Sequence, residues 1–246
     1  MTRHLPGAIL LCALAACGCA PRENIPTYAS MDAQHSLDVI RQRSAQVRDI
    51  SGDGTIVLTD AKGQSIRFDA AFVMAPPDRA RVRAWKFGQA VLDLTLVPEG
   101  TWIYLPRGED EHAEQLRSAS RSATRAVRQW LRLLGDQVDA PGARGRIDGS
   151  HLIVTRSMDD GMTLTTTMNR DTLTARRHVL ADSSGRERFM LTLDRYEVLG
   201  PTVWPRRVEA RSETGTITVE LRDVELNDAP GNAFKPPSRA QRVDEP

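Results

Sequence analysis

Cysteine is missing from the body of this 246-residue chain: Cys12, Cys17 and Cys19 are the only three, and all precede residue 20. The remainder therefore holds no disulfide, no thiolate nucleophile and no cysteine ligand for a metal. Lysine is almost as scarce, with Lys62, Lys86 and Lys235 the only ones among 33 basic residues. Thirty-two acidic residues leave a formal net charge of +1, so the concentrated positive field that nucleic acid requires is lacking and no nucleic-acid partner is expected. The apolar run Ala8–Ala16 falls well short of the roughly 20 residues that a spanning helix needs. Histidines 35, 112, 151 and 178 are scattered without a two-histidine metal spacing, so no metal and no cofactor are expected. Asp159-Asp160-Gly161 has no ladder of calcium ligands after it, and Ser183-Ser184-Gly185 has no nucleophile elbow; both read as turns. With no converging set of reactive groups, the chain is not expected to be an enzyme.

What is present begins at the N-terminus. Arg3 and His4 give a basic start, followed by the short apolar run and small residues, the pattern of a secretory leader over residues 1–16. Leu14-Ala15-Ala16-Cys17 resembles the bacterial lipobox, which makes Cys17 the expected lipidated residue and mature N-terminus, with Cys19 as the alternative acceptor. Residues 17–30, with Pro21 and Pro26 among polar neighbours, read as a tether to the bilayer. Gly18 is compatible with sorting to the outer membrane, whereas aspartate there would argue for retention at the inner one. One domain is expected over residues 31–234, and a loose charged tail over 235–246.

Inside that domain the apolar period changes from helical to two. Ser30 can cap a short helix reaching about Gln46, with Ala33, Leu37 and Ile40 at helical spacing. Afterwards Ile56 and Leu58 alternate with polar neighbours, as do Ile66, Phe68 and Ala70, and Leu92, Leu94 and Leu96. Gly52, Gly54, Lys62-Gly63, Pro76-Pro77, Gly88 and Glu99-Gly100 read as turns between such runs. The pattern resumes at about 146–156, 162–169, 172–180, 186–198, 202–213 and 216–226. Links this short force antiparallel pairing, because a parallel neighbour needs a crossover of about a dozen residues. The expected fold is mainly β, a curled antiparallel half-barrel of about 10–11 strands, because a sheet of that size curls. A long helix from about Glu111 to Leu134 interrupts the strands, with Leu116, Ala119, Ala123, Val127, Trp130 and Leu134 on one stripe. Together with the short helix it is expected to cover the concave face, its arginines staying in water.

This order of elements resembles the LolA/LolB family of lipoprotein carriers and receptors, and three stretches carry the likeness. Arg81-Val-Arg-Ala-Trp-Lys-Phe-Gly-Gln-Ala-Val-Leu-Asp-Leu-Thr-Leu96 looks like the LolB hairpin in which an apolar residue before glycine protrudes. Val127-Arg-Gln-Trp-Leu-Arg-Leu-Leu-Gly135 is similar to the LolB cover helix. Glu99-Gly-Thr-Trp-Ile-Tyr-Leu-Pro106, with Phe234-Lys-Pro-Pro237, looks like the strand end and closing segment of LolA. LolA itself is soluble, so the lipid anchor makes LolB the better match. One departure is clear: LolA-type carriers latch the cover with an arginine before a strand-ending proline, and here Ala75 precedes Pro76-Pro77, with Arg79 and Arg81 nearby.

The resemblance implies a hollow that holds acyl chains, with Phe72, Met74, Trp85, Leu92, Leu94, Leu96, Trp102, Tyr104, Leu116, Val127 and Trp130 as its lining. It implies that Phe87 beside Gly88 forms a loop that dips into the membrane. The partners it implies are lipid acyl chains or lipoprotein cargo, the membrane through the N-terminal lipid, and a soluble LolA-like carrier. The implied place is the periplasmic face of the bacterial outer membrane. Two other readings remain open on sequence: a lipid-anchored assembly or scaffold protein that grips another polypeptide, and an LppX-like glycolipid carrier.

Overall fold

The computed structural model of the chain describes residues 25–76, 78–105, 142–158 and 161–243. One helix, α1 (Ala33–Ser44), precedes the sheet. Asp32 rather than Ser30 caps it, its carboxylate accepting the His35 N–H at 2.8 Å, which satisfies one of the first-turn donors left without helical partners. Tyr28, inside the stretch read as tether, donates its N–H to the Asp171 carbonyl and packs beside α1.

Among the described residues, thirteen strands form one antiparallel sheet. The first meander comprises β1 (Ile50–Asp60), β2 (Ser65–Ala75), β3 (Arg79–Lys86), β4 (Gln89–Val97) and β5 (Gly100–Tyr104). The second comprises β6 (Arg144–Asp148), β7 (His151–Ser157), β8 (Thr163–Asn169), β9 (Ala175–Ala181), β10 (Glu187–Leu199), β11 (Thr202–Ser212) and β12 (Gly215–Leu226). A last short strand, β13 (Gln241–Val243), pairs with β5. The spatial order is β13-β5-β4-β3-β2-β1-β12-β11-β10-β9-β8-β7-β6, so β1 and β12 form a central seam and the sheet does not close.

Two differences from the sequence pattern account for the strand count. The run 146–156 is a hairpin, because Gly149 takes a positive φ of 57° and turns β6 into β7. Part of the expected tail is β13. Gly52 and Gly54 are not turns but lie within β1, where a Cβ would come 2.1 Å from the carbonyl oxygens of Asp223 and Glu220. Beside them the register shifts between Asp53 and Gly54, leaving Arg222 as an extra residue on β12. Further shifts occur on β3–β4, β8–β9 and β9–β10. Each bulge adds local twist and bend, which is how a wide sheet acquires curl.

The curl gives two unlike faces. Inner rows are apolar, such as Ile103–Leu94–Val82–Phe72–Gly52–Val224 and Thr101–Leu96–Ala80–Met74–Ile50–Leu226. The outer face carries ion pairs, among them Arg222–Asp53, Arg207–Glu220, Arg177–Glu187 and Arg188–Asp182. The α1 helix covers the far end of the inner face, where Leu37 and Ile40 pack on Leu152, Val154, Met168 and Leu173. Gly145 permits this approach, since a Cβ there would sit 3.1 Å from the Ala33 Cβ. The residues 106–141, which join β5 near one edge to β6 at the other, lie outside the described residues, as does the expected long helix within them.

Candidate functional site

Alternation along β2, β3 and β4 decides which side chains share the inner face. Phe72, Met74, Leu92, Leu94 and Leu96 all point there, brought side by side by the pairing of Ala80 with both Met74 and Leu96, and of Val82 with both Phe72 and Leu94. Met74 is fully buried, Phe72, Leu94 and Leu96 are buried, and Leu92 is half-buried. A second cluster, Phe68, Ala70 and Ala84, extends the apolar surface toward the β3–β4 turn, with Ile56, Leu58, Ile66 and Leu92 against it.

Trp85, Trp102 and Tyr104, grouped with these residues on sequence, belong to the opposite face. The period of two places them there: Trp85 is paired with Asp69, Trp102 with Thr95 and Tyr104 with Asp93. Trp85 and Trp102 instead stack beneath cations, the Arg83 and Arg242 guanidiniums each lying 5.8 Å from the ring centre. The family resemblance implies a lining role for these three, whereas strand phase assigns them to the outside. Leu116, Val127, Trp130 and Cys17 lie outside the described residues.

Phe87 and Gly88 form the two-residue turn between β3 and β4, with φ of 52° and 77°. Two positive φ values define the primed turn that suits the twist of a hairpin, and asparagine–glycine is its favoured pair. A phenylalanine there strains the backbone, yet its side chain gains no burial, being 92% exposed. The Lys86 ammonium lies 5.7 Å from the ring centre. Local strain with no packing return is a pattern associated with functional positions.

The inner face also carries polar groups that the sequence does not signal. His178 on β9 and Thr166 on β8 stand opposite each other and share a hydrogen bond of 2.8 Å between Thr166 Oγ1 and His178 Nδ1. They sit in the row Ala210–Leu191–His178–Thr166–Val154. Burial alone pushes the imidazole down to about pKa 4, so it is neutral near pH 7. Trp204, in the main apolar cluster, is 8% exposed, and its Nε1–H has no hydrogen-bond partner among the described residues. The lone scattered histidine and the Val-Trp-Pro context gave no period from which either could be placed.

On the outer face, residues beyond β12 run back across the sheet. The Ala229 N–H binds the Asp49 carboxylate at 2.9 Å, and Arg81 donates to the Ala233 carbonyl at 3.3 Å. A cleft of about 420 Å³ remains beneath this strap, between Ser51, Ala71, Val73, Arg83, Pro230 and Asn232. Arg79 and Arg81, the residues nearest the missing cover latch, both face outward with Val73 and Ala75. They therefore do not reach the inner face where a cover would be held.

These features define a curled, open antiparallel half-barrel with an apolar concave face, a LolA-like fold. The chain matches no protein-family model and no curated protein. Among solved structures it is similar to a DUF1329 family protein from Desulfovibrio piger, with 14% identity, TM-score 0.57, and 82% of this chain and 96% of that one covered. It is also similar to a putative outer membrane lipoprotein-sorting protein domain from Vibrio parahaemolyticus, at 13% identity and TM-score 0.53, covering 83% of this chain and 97% of that one. A LolA superfamily protein from Nitrosomonas europaea aligns at 10% identity and TM-score 0.53, over 84% of this chain and 98% of that one. At such identities the likeness is one of fold.

Proposed function

We propose that this chain is a lipid-anchored envelope protein, not an enzyme, that shelters acyl chains against its concave face and receives or hands on lipoproteins or lipids at the outer membrane. The observation that carries the reading is a single hairpin: β3 and β4 supply Val82, Leu94 and Leu96 to the apolar face, and the same hairpin ends in the exposed Phe87. One element thus links an apolar surface to an apolar tip suited to a bilayer. Removing hydrocarbon from water is worth roughly 0.8 kcal/mol per methylene, so a dry concave surface suffices to hold an acyl chain in transit. Cys17 is the proposed anchor, and a soluble carrier of the same fold is the proposed donor.

The test is native mass spectrometry of the protein extracted from membranes, paired with displacement of a fluorescent fatty acid. Co-purifying lipid and displacement at micromolar protein are the expected results. A co-purifying polypeptide without lipid would favour the assembly reading, and absence of fatty-acid binding would remove the carrier reading.

A further inference from the structure

The sheet ends on a strand that the chain lends to itself. β5 has only β4 as its meander neighbour, and its other edge is taken by three residues from the C-terminal end: Gln241 opposite Ile103, Arg242 opposite Trp102 and Val243 opposite Thr101. An uncovered edge of N–H and C=O groups is a template for an incoming strand. Among the described residues the added strand is only three residues long. Gln241 and Arg242 are exposed, and among the described contacts the Arg242 guanidinium lies over Trp102 while its Nη2 donates to the Glu99 carbonyl at 2.8 Å. Gly100 leaves room for that arginine, since a Cβ there would lie 2.9 Å from its Nε.

The phase of the pairing says what else would fit. Residues opposite Ile103 and Thr101 lean to the inner face, next to Leu94 and Leu96, and the residue between them meets Trp102 outside. The edge therefore takes an extended segment with a cation opposite Trp102, as Arg242 is, and inward-leaning side chains opposite Ile103 and Thr101, as Gln241 and Val243 are. Because backbone groups supply the ladder, it reads conformation more than sequence. We propose that the side of β5 facing away from β4 is a strand-acceptor site for the extended polypeptide next to a cargo's lipid, and that Gln241–Val243 occupies it until cargo displaces it. This rests on the carrier reading: acyl chains against the inner face would leave their attached peptide at the β5 rim. The tether of residues 227–240 holds the tail at an effective concentration on the order of millimolar, so only a ligand also bound through its lipid competes well.

The test compares the full chain, a chain ending at Ala240, and Arg242→Ala, which keeps every backbone group of the tail. Three probes are titrated: a fluorescent fatty acid, a diacylated peptide with an eight-residue linker bearing one arginine, and the same lipopeptide N-methylated at alternate residues. Truncation is expected to tighten binding of the plain lipopeptide about tenfold and Arg242→Ala to do so partially, with fatty acid and N-methylated lipopeptide unchanged. Hydrogen exchange at Thr101–Ile103 in the truncated chain is expected to slow when the acyl-free linker peptide is added. Equal lipopeptide affinity in all three proteins, alongside fatty-acid binding, would overturn the acceptor site and leave the carrier reading intact. Slowed exchange without any fatty-acid binding would keep the acceptor site and remove the carrier reading.

Discussion

Arg81 grips the carboxylate of Asp93 with two hydrogen bonds, Nε to Oδ1 at 2.9 Å and Nη2 to Oδ2 at 2.7 Å, while its third nitrogen reaches the Ala233 carbonyl. The pair joins β3 to β4 and holds the returning C-terminal strap, with side chains only 18% and 12% exposed. Removing one partner leaves a charge in a mostly dry place, which costs more than the pair contributes. Asp93→Ala is expected to lower unfolding stability by about 3 kcal/mol, and Arg81→Met with Asp93→Leu to recover most of it. Urea unfolding of the single and double variants checks this; an additive double variant would contradict it.

Phe87 should respond oppositely in two assays. Phe87→Asn places the favoured residue at a positive φ, so a gain of about 1 kcal/mol is expected. The same change removes the exposed ring and is expected to reduce flotation with lipid vesicles, as is Phe87→Glu. Loss of stability on either change would mean that the ring packs against the protein.

For His178 the sign follows from burial. Its folded pKa of about 4 lies below the ordinary value of 6.5, so between those values the unfolded chain binds the extra proton and folding loses ground as pH falls. The contribution is intact above about pH 6.5, declines down to pH 4 and is constant below that. A shift of this size corresponds to roughly 3 kcal/mol. His178→Gln, which can still bond Thr166, should show a shallower stability loss between pH 7 and 4.5; parallel profiles would refute the assignment.

Gly52 and Gly54 are expected to tolerate no side chain. A methyl at either would meet a β12 carbonyl at 2.1 Å, and that atom is backbone rather than a movable side-chain end. Gly54→Ala should cost more than about 3 kcal/mol, measured by thermal unfolding, whereas Gly63→Ala at an open turn should cost far less despite its φ of 81°.

Most of the sheet is legible in the sequence because alternation and turn chemistry are local. Leu92, Leu94 and Leu96 announce one face of β4, and Phe87-Gly88 announces a turn. What is not legible depends on partners far along the chain. Gly52 and Gly54 look like turn residues until β12 is known to press against them. Trp85, Trp102 and Tyr104 look like cavity lining until the pairing with Asp69, Thr95 and Asp93 fixes their phase. The three residues of β13 have no strand signature, since an added edge strand needs only a backbone and a place to pair.

The seam between β1 and β12 has a bearing on assembly of the fold. Ile50 pairs with Leu226, so the centre of the sheet joins residues far apart in the chain. During synthesis β2 through β5 can fold back on β1 early, but the other side of β1 must wait until nearly the whole polypeptide has emerged. Until then a glycine-containing strand with an open edge is available for wrong pairing, and closing so distant a contact is slow. The chain thus completes its middle last, and refolding from denaturant should be limited by the joining of its two halves.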